Sequence, residues 1–187
     1  LHVLCRAEAL LLTGHLHDDE LFDRLQIVDS HETGRPEELL DAYMLLDIGD
    51  ELVLHLFQFK YTEKFNGGIS TKELQAFVLR MNQEFQHGDL SDKSTIEAYQ
   101  KVKDDVSAAL ETAHKRLRIH CHYVANGQGV SATDRPKVDG LREHLSSDQQ
   151  KLGFQFEAYG GLDIYNLVVH GRVPIHQEKL QFEFPDN

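Results

Sequence analysis

Asp41, Gln58 and Lys60 are residues whose types and spacing could do chemistry together. They lie at the two ends of residues 41–60, where two apolar runs, 39–46 and 52–59, flank the polar piece Asp47-Ile48-Gly49-Asp50. Apolar runs of this length, bounded by Asp and Gly, signal a strand, a tight turn and a second strand. With the turn centred near Gly49, position 41 faces position 57 or 58, and opposed Cβ atoms on paired strands lie about 5 Å apart. Gln58 and Lys60 are two apart and share a face of their strand. A carboxylate, an amide oxygen and an ammonium are thus expected to meet at one end of an otherwise apolar hairpin. Such a set suits metal-assisted cleavage of a phosphodiester. Mg²⁺ takes oxygen ligands in octahedral geometry and keeps several waters. Asp41 offers an anionic oxygen, Gln58 a neutral one, and the Phe59 carbonyl at the same strand end a third. Lys60 could orient or deprotonate the attacking water, or neutralise charge developing on the phosphate. The plainer reading of the same spacing is a buried hairpin with three polar residues at its frayed end.

The elements that must position these residues follow from periodicity. Residues 2–13 read as a helix with Leu4, Ala7, Leu11 and Leu12 in one stripe. Glu8 falls inside that stripe, and a carboxylate on an apolar face needs a partner. It either marks the edge of the stripe, reaching solvent or an Arg, or points at the Asp41 metal as a second carboxylate. A second helix is expected over 18–28, capped by Asp18 or Asp19, and 30–38, with Gly34 and Pro36, reads as a loop. After the hairpin, 61–68 is a polar loop. Ser70 and Glu73 then form a capping box, with Leu74, Phe77, Val78, Met81 and Phe85 at helical spacing behind them. A connection over 89–93 leads to a long helix, 94–117, whose buried side is Ile96, Val102, Val106, Ala109, Leu110 and Ala113.

Residues 118–125 read as a strand ended by Asn126-Gly127-Gln128-Gly129. His120 and His122 share a face there; two His at this spacing can bind Zn²⁺, but the sequence offers no third ligand nearby. Gly127 and Gly129 are not a phosphate loop, because no Lys-Ser/Thr follows. A helix over 136–145, a strand over 154–159 ended by Gly160-Gly161, a short helix over 162–169 and a last strand over 180–184 complete the chain. A hairpin followed by alternating helices and strands predicts an α/β fold, a mixed sheet flanked by helices.

The chain has 187 residues, which suits a single domain. A net charge of −12 argues against a broad surface that coats nucleic acid, and leaves room for a small local phosphate site. No segment approaches the ~18 consecutive apolar residues of a membrane span. Cys5 and Cys121 lie in apolar company without metal-ligand spacing and read as free buried thiols, which fits a reducing cytosol. No secretory signal pattern opens the chain, so a cytoplasmic location is expected. The first residue is Leu1 rather than Met, and the expectation is a piece of a longer protein.

Asp41, then Gln58-x-Lys60 on an adjacent strand, with an acidic residue in the first helix, resembles the core of the PD-(D/E)xK nuclease superfamily, with Gln in the (D/E) place. The surrounding residues are similar to one branch of it, the N-terminal nuclease-like domain of the AIPR (abortive infection phage resistance) family. The similar pieces are Asp41-Ala42-Tyr43-Met44-Leu45-Leu46-Asp47, Leu56-Phe57-Gln58-Phe59-Lys60-Tyr61, Tyr123-Val124-Ala125-Asn126-Gly127 and the stretch 154–162, Phe-Gln-Phe-Glu-Ala-Tyr-Gly-Gly-Leu. Their order and spacing cover most of residues 41–169. The resemblance implies a restriction-endonuclease-like fold, with residues 1–187 as one nuclease-like domain at the N-terminus of a longer protein whose C-terminal region is its partner. It implies a Mg²⁺-dependent nuclease, with Mn²⁺ as a substitute, acting on DNA before RNA in bacterial anti-phage defence. A homodimer fits this picture, and a membrane partner does not.

By the family pattern Asp41 is the metal-binding acid, Gln58 the second ligand, Lys60 the catalytic lysine and Glu8 the helix-one acid. The sequence departs from the pattern twice. Leu40 rather than Pro precedes Asp41, and Gln58 lowers the negative charge around the metal. The second departure keeps an alternative open, in which the domain is nuclease-like without catalysis and serves in binding or oligomerisation.

Overall fold

The computed structural model describes residues 24–28, 39–60, 67–87, 90, 93–113, 115–147 and 153–169. Three strands open it: β1, Leu25–Ile27; β2, Ala42–Ile48; and β3, Glu51–Lys60. Helix α1, Thr71–Asn82, runs on into a wider turn at Gln83–His87, and α2, Glu97–Ala113, leads to strand β4, Arg116–Ala125. Helix α3, Arg135–Ser147, strand β5, Gly153–Tyr159, and helix α4, Gly161–Val169, follow. The five strands form one sheet in the order of the sequence; β1, β2 and β3 are antiparallel neighbours, and β3, β4 and β5 run parallel. This is the mixed, helix-flanked α/β sheet that the element order predicts.

The β2–β3 hairpin closes on two residues between Ile48 and Glu51. Gly49 sits at φ 57 with open space around its Cα, so backbone conformation rather than crowding favours glycine there. From that turn the pairing runs to Ala42 opposite Phe57, which puts Asp41 level with Gln58.

Alternation along the strands sorts the core into two layers. Tyr43, Leu52, Leu54, Leu56, Leu117, Ile119, Cys121, Phe154 and Phe156 face Leu74, Phe77 and Met81 of α1, Val102 and Val106 of α2, and Val138 and Leu145 of α3. Met44, Leu46, Val53, Phe57, Phe59 and Val124 form the opposite layer with Ile164 of α4. Fully burying a Leu or Phe contributes about 1.5–3 kcal/mol, so these two layers dominate the stability of the sheet. Cys121 is a free, fully buried thiol as expected.

Two elements differ from the sequence reading. The helix expected over 18–28 gives way to β1 at residues 25–27, whose backbone groups pair with the outer edge of β2. Its Ile27, with Val28 following, is β-branched and suits an extended edge. The long helix expected to reach 117 ends at Ala113, because β4 starts at Arg116 to pair with Glu51 and then follows β3 along its full length. The helix expected over 2–13 and the last strand over 180–184 lie outside the described residues, as does Cys5.

Candidate functional site

Asp41 precedes β2 and is held from both sides. Its backbone N–H donates to the Phe57 carbonyl (2.9 Å), and its carbonyl accepts from the Val28 N–H (2.8 Å). Strand β3 runs on past this point, so its Phe59 N–H lies beyond the last ladder pair with β2. The Asp41 carboxylate takes that donor: Oδ2 accepts from Phe59 N at 2.6 Å and from the Gln58 amide Nε2 at 2.8 Å. The sequence places Asp41 and Gln58 together, and the fold brings them into contact. The other end of the same amide, Gln58 Oε1, is buried and has no hydrogen-bond partner.

Lys60 shares the Gln58 face of β3 and is half exposed. Its Nζ lies 3.4 Å from Oε1 of Glu73, in the first turn of α1. The second oxygen of Glu73 accepts from the hydroxyl of Tyr123 at 3.1 Å. Tyr123 stands beside Gln58 in the β3–β4 register and is almost fully buried. Burial raises the Tyr123 hydroxyl well above its ordinary range, the neighbouring Glu73 charge and hydrogen bond raise it further, and the Asp41 charge adds to them. The phenol therefore stays protonated and serves as a donor.

Loops brace this end of the sheet. Asn126 N–H donates to the Lys60 carbonyl (3.3 Å), Gln128 N–H to that of Gly67 (2.8 Å) and Ile69 N–H to that of Gly129 (3.4 Å). The junction between β5 and α4 crosses directly over this loop. A Cβ on Gly160 would stand 2.2 Å from Gly129 N, so no side chain fits. Gly160 and Gly161 thus serve close packing against the backbone of residues 126–129. Ser70 caps α1 by accepting from Glu73 N–H (3.4 Å), which fixes the turn from which the Glu73 carboxylate reaches Lys60.

No model of a known family, curated protein or solved structure matches this chain. Two carboxylates, a buried amide oxygen without a partner, an ammonium and a protonated phenol gather at one end of the β3–β4 face. Hard oxygen donors of this kind fit Mg²⁺ or Mn²⁺, and the orphaned Gln58 Oε1 is the atom that such an ion would satisfy. Turning the Gln58 amide over would exchange its N–H donor for an oxygen beside Asp41, an arrangement that two oxygens tolerate with a cation between them.

Glu8, the expected helix-one acid, lies outside the described residues. The capping box assigns the Glu73 side chain a local task, whereas its carboxylate turns to Lys60 and Tyr123. The signal that points to it is its place one helical turn into the element that follows the Lys60 loop. Among the described residues no helix is long and apolar enough to cross a membrane.

Proposed function

We propose that this chain is a metal-dependent nuclease domain of PD-(D/E)xK type, akin to the N-terminal domain of AIPR proteins. It hydrolyses phosphodiester bonds of DNA, and RNA less readily, in the bacterial cytoplasm as part of anti-phage defence. The observation that carries this reading is the Asp41–Gln58 contact, with Lys60 on the same face at the same strand end. Asp41, Gln58 and Glu73 would hold Mg²⁺, which supplies positive charge to the phosphate and acidifies a bound water. Lys60 orients that water or neutralises charge on the scissile phosphate. Tyr123 keeps one Glu73 oxygen engaged, so the carboxylate does not fold down onto Lys60 alone. Asp41 also anchors the Phe59 N–H, which fixes the strand end that carries Lys60.

The test is cleavage of plasmid DNA and of RNA by the full chain with Mg²⁺. Asp41→Asn retains an acceptor for Phe59 N–H and removes the charge. It is expected to abolish Mg²⁺-dependent cleavage with the fold intact, and Mn²⁺ is expected to restore part of it. Undiminished cleavage by Asp41→Asn would overturn the assignment.

One observation favours the second reading, a nuclease-like module that binds without cutting. The Gln58 amide and the Phe59 N–H already satisfy Asp41 Oδ2 without a cation. On that reading neither Mg²⁺ nor Mn²⁺ changes the melting temperature, and no nucleic acid is cut.

A further inference from the structure

The parallel pairing of β3 with β4 gathers three histidines on the sheet face opposite Asp41, Gln58 and Lys60. His55 stands directly across from His120 in the register, and His122 follows two residues on. Ring centroids lie 5.2 Å apart for His55–His120 and for His55–His122, and 6.3 Å apart for His120–His122. One nitrogen from each ring comes within 4.8 Å of the others, and among the described residues this is the one such group of three His, Cys, Asp or Glu.

His55 and His122 are 3% and 2% exposed, which for a polar ring calls for partners. They share a single hydrogen bond, Nδ1 to Nε2 at 2.9 Å. His122 Nδ1 and His120 Nε2 are buried without any. A cavity of about 200 Å³ adjoins His120 and His122 and is also lined by Gln155 and Glu157 of β5. The packing of the opposite layer does not require this arrangement: Phe57, stacked on His122 at 4.9 Å, shows that an aromatic hydrocarbon fills such a position.

We propose that His55, His120 and His122 are the protein ligands of a Zn²⁺ ion, with a fourth coordination position open toward the cavity beside Gln155 and Glu157. Imidazole is a preferred zinc ligand, and three histidines with a fourth position left to water are a recurrent zinc set. Tetrahedral zinc, with Zn–N bonds of about 2.0–2.1 Å, sets its nitrogens about 3.3–3.4 Å apart, so the rings adjust on binding and the 2.9 Å His55–His122 contact opens slightly. The His55–His122 hydrogen bond is exchanged for two metal bonds, and the orphaned His120 Nε2 marks ligand capacity that the metal-free chain leaves unused. The site is separate from the Asp41 cluster, because the two lie on opposite faces of the sheet.

The experiment is titration of the metal-free full chain with Zn²⁺ against a chromophoric chelator, alongside the absorption spectrum with Co²⁺ in its place. The expected result is one Zn²⁺ per chain and the visible absorption of four-coordinate Co²⁺. His120→Gln, at the least buried of the three rings, is expected to weaken Zn²⁺ about 100-fold or more with the circular-dichroism spectrum unchanged, because it removes a direct ligand, whereas outer-shell partners alone are worth 10–100-fold. Asp41→Asn is expected to leave Zn²⁺ binding as in wild type, even where it removes nuclease activity. No stoichiometric Zn²⁺ on the folded wild-type chain would overturn the proposal. So would equal affinity in His120→Gln, or loss of binding in Asp41→Asn alone. If His120→Gln fails to fold, the wild-type Co²⁺ spectrum decides: octahedral, weakly absorbing Co²⁺ contradicts the site.

Discussion

The Gln58 amide and the Asp41 carboxylate lie 2.8 Å apart, so Gln58→Glu sets two carboxylates against each other. Without a cation one of them must take up a proton or the pair must separate, and the variant is expected to melt below wild type. With Mg²⁺ the added charge tightens binding, so the metal-dependent rise in melting temperature is expected to be larger in the variant than in wild type. Identical melting curves with and without Mg²⁺ in both proteins would contradict the ligand roles. Glu73→Gln keeps an acceptor for Tyr123 and removes the charge beside Lys60. As the loss of a proposed metal ligand this is expected to lower cleavage about 100-fold or more, beyond the 10–100-fold of outer-shell partners; an unchanged rate would leave Glu73 only its contacts with Lys60 and Tyr123. The residue-scale contacts differ in how far the sequence reveals them. Asp41 and Gln58 were legible together because a two-residue turn fixes the hairpin register. Glu73 was not, since its local capping pattern masks a tertiary contact. His55 was hidden inside an apolar run, and its partner His122 lies 67 residues further along the chain.

Parallel pairing explains that last gap at the level of elements. No local turn sets the register of β3 against β4; the intervening helices do, and apolar periodicity in a single strand says nothing about which neighbour it meets. The Ser70 cap made the start of α1 legible, and helical periodicity its buried face. Short β1 was not, because three residues of edge strand take their structure from β2 rather than from their own pattern. Gly160→Ala tests the crossing of the β5–α4 junction over the Asn126–Gly129 loop. Its Cβ meets backbone at 2.2 Å, and crowding of this kind costs about 1–3 kcal/mol, seen as a melting temperature lower by several degrees. A variant as stable as wild type would show that the loop yields.

The strands also carry an acid sensitivity. Burial holds His55 down to about 3, with the His120 charge adding to it, and burial holds His122 well below the ordinary histidine range. In the unfolded chain both take up protons near pH 6.5. Below that pH the unfolded state binds protons that the folded state refuses, so stability present above about pH 6.5 is lost as the pH falls toward the folded value. In the metal-free protein the urea midpoint is expected to drop between about pH 7 and pH 5; a flat midpoint would contradict buried, neutral rings.

Across the whole molecule, one five-stranded sheet presents two chemically distinct ends of business, an oxygen-rich cluster on the face packed by α1 and α2 and a nitrogen-rich cluster on the other. On the proposed assignments hard and softer metals would sort by face, since oxygen donors favour Mg²⁺ and Mn²⁺ and imidazoles favour Zn²⁺. The acidic balance of the chain, −12 overall, disfavours tight coating of a long polyanion, so on the proposed nuclease reading substrate engagement would depend on the local cation and Lys60. Lys60 is half exposed and makes its ion pair at the surface, so truncating it opens no cavity and costs little stability. The most direct measurement is thus the rate of plasmid DNA and RNA cleavage by the full chain in Mg²⁺, wild type beside Lys60→Ala, with the melting temperature of each. The account predicts metal-dependent cleavage by wild type, a loss of about 100-fold or more in Lys60→Ala, and melting temperatures that coincide. Cleavage that survives in Lys60→Ala, or a wild-type chain that cuts neither substrate with Mg²⁺ or Mn²⁺, would contradict it.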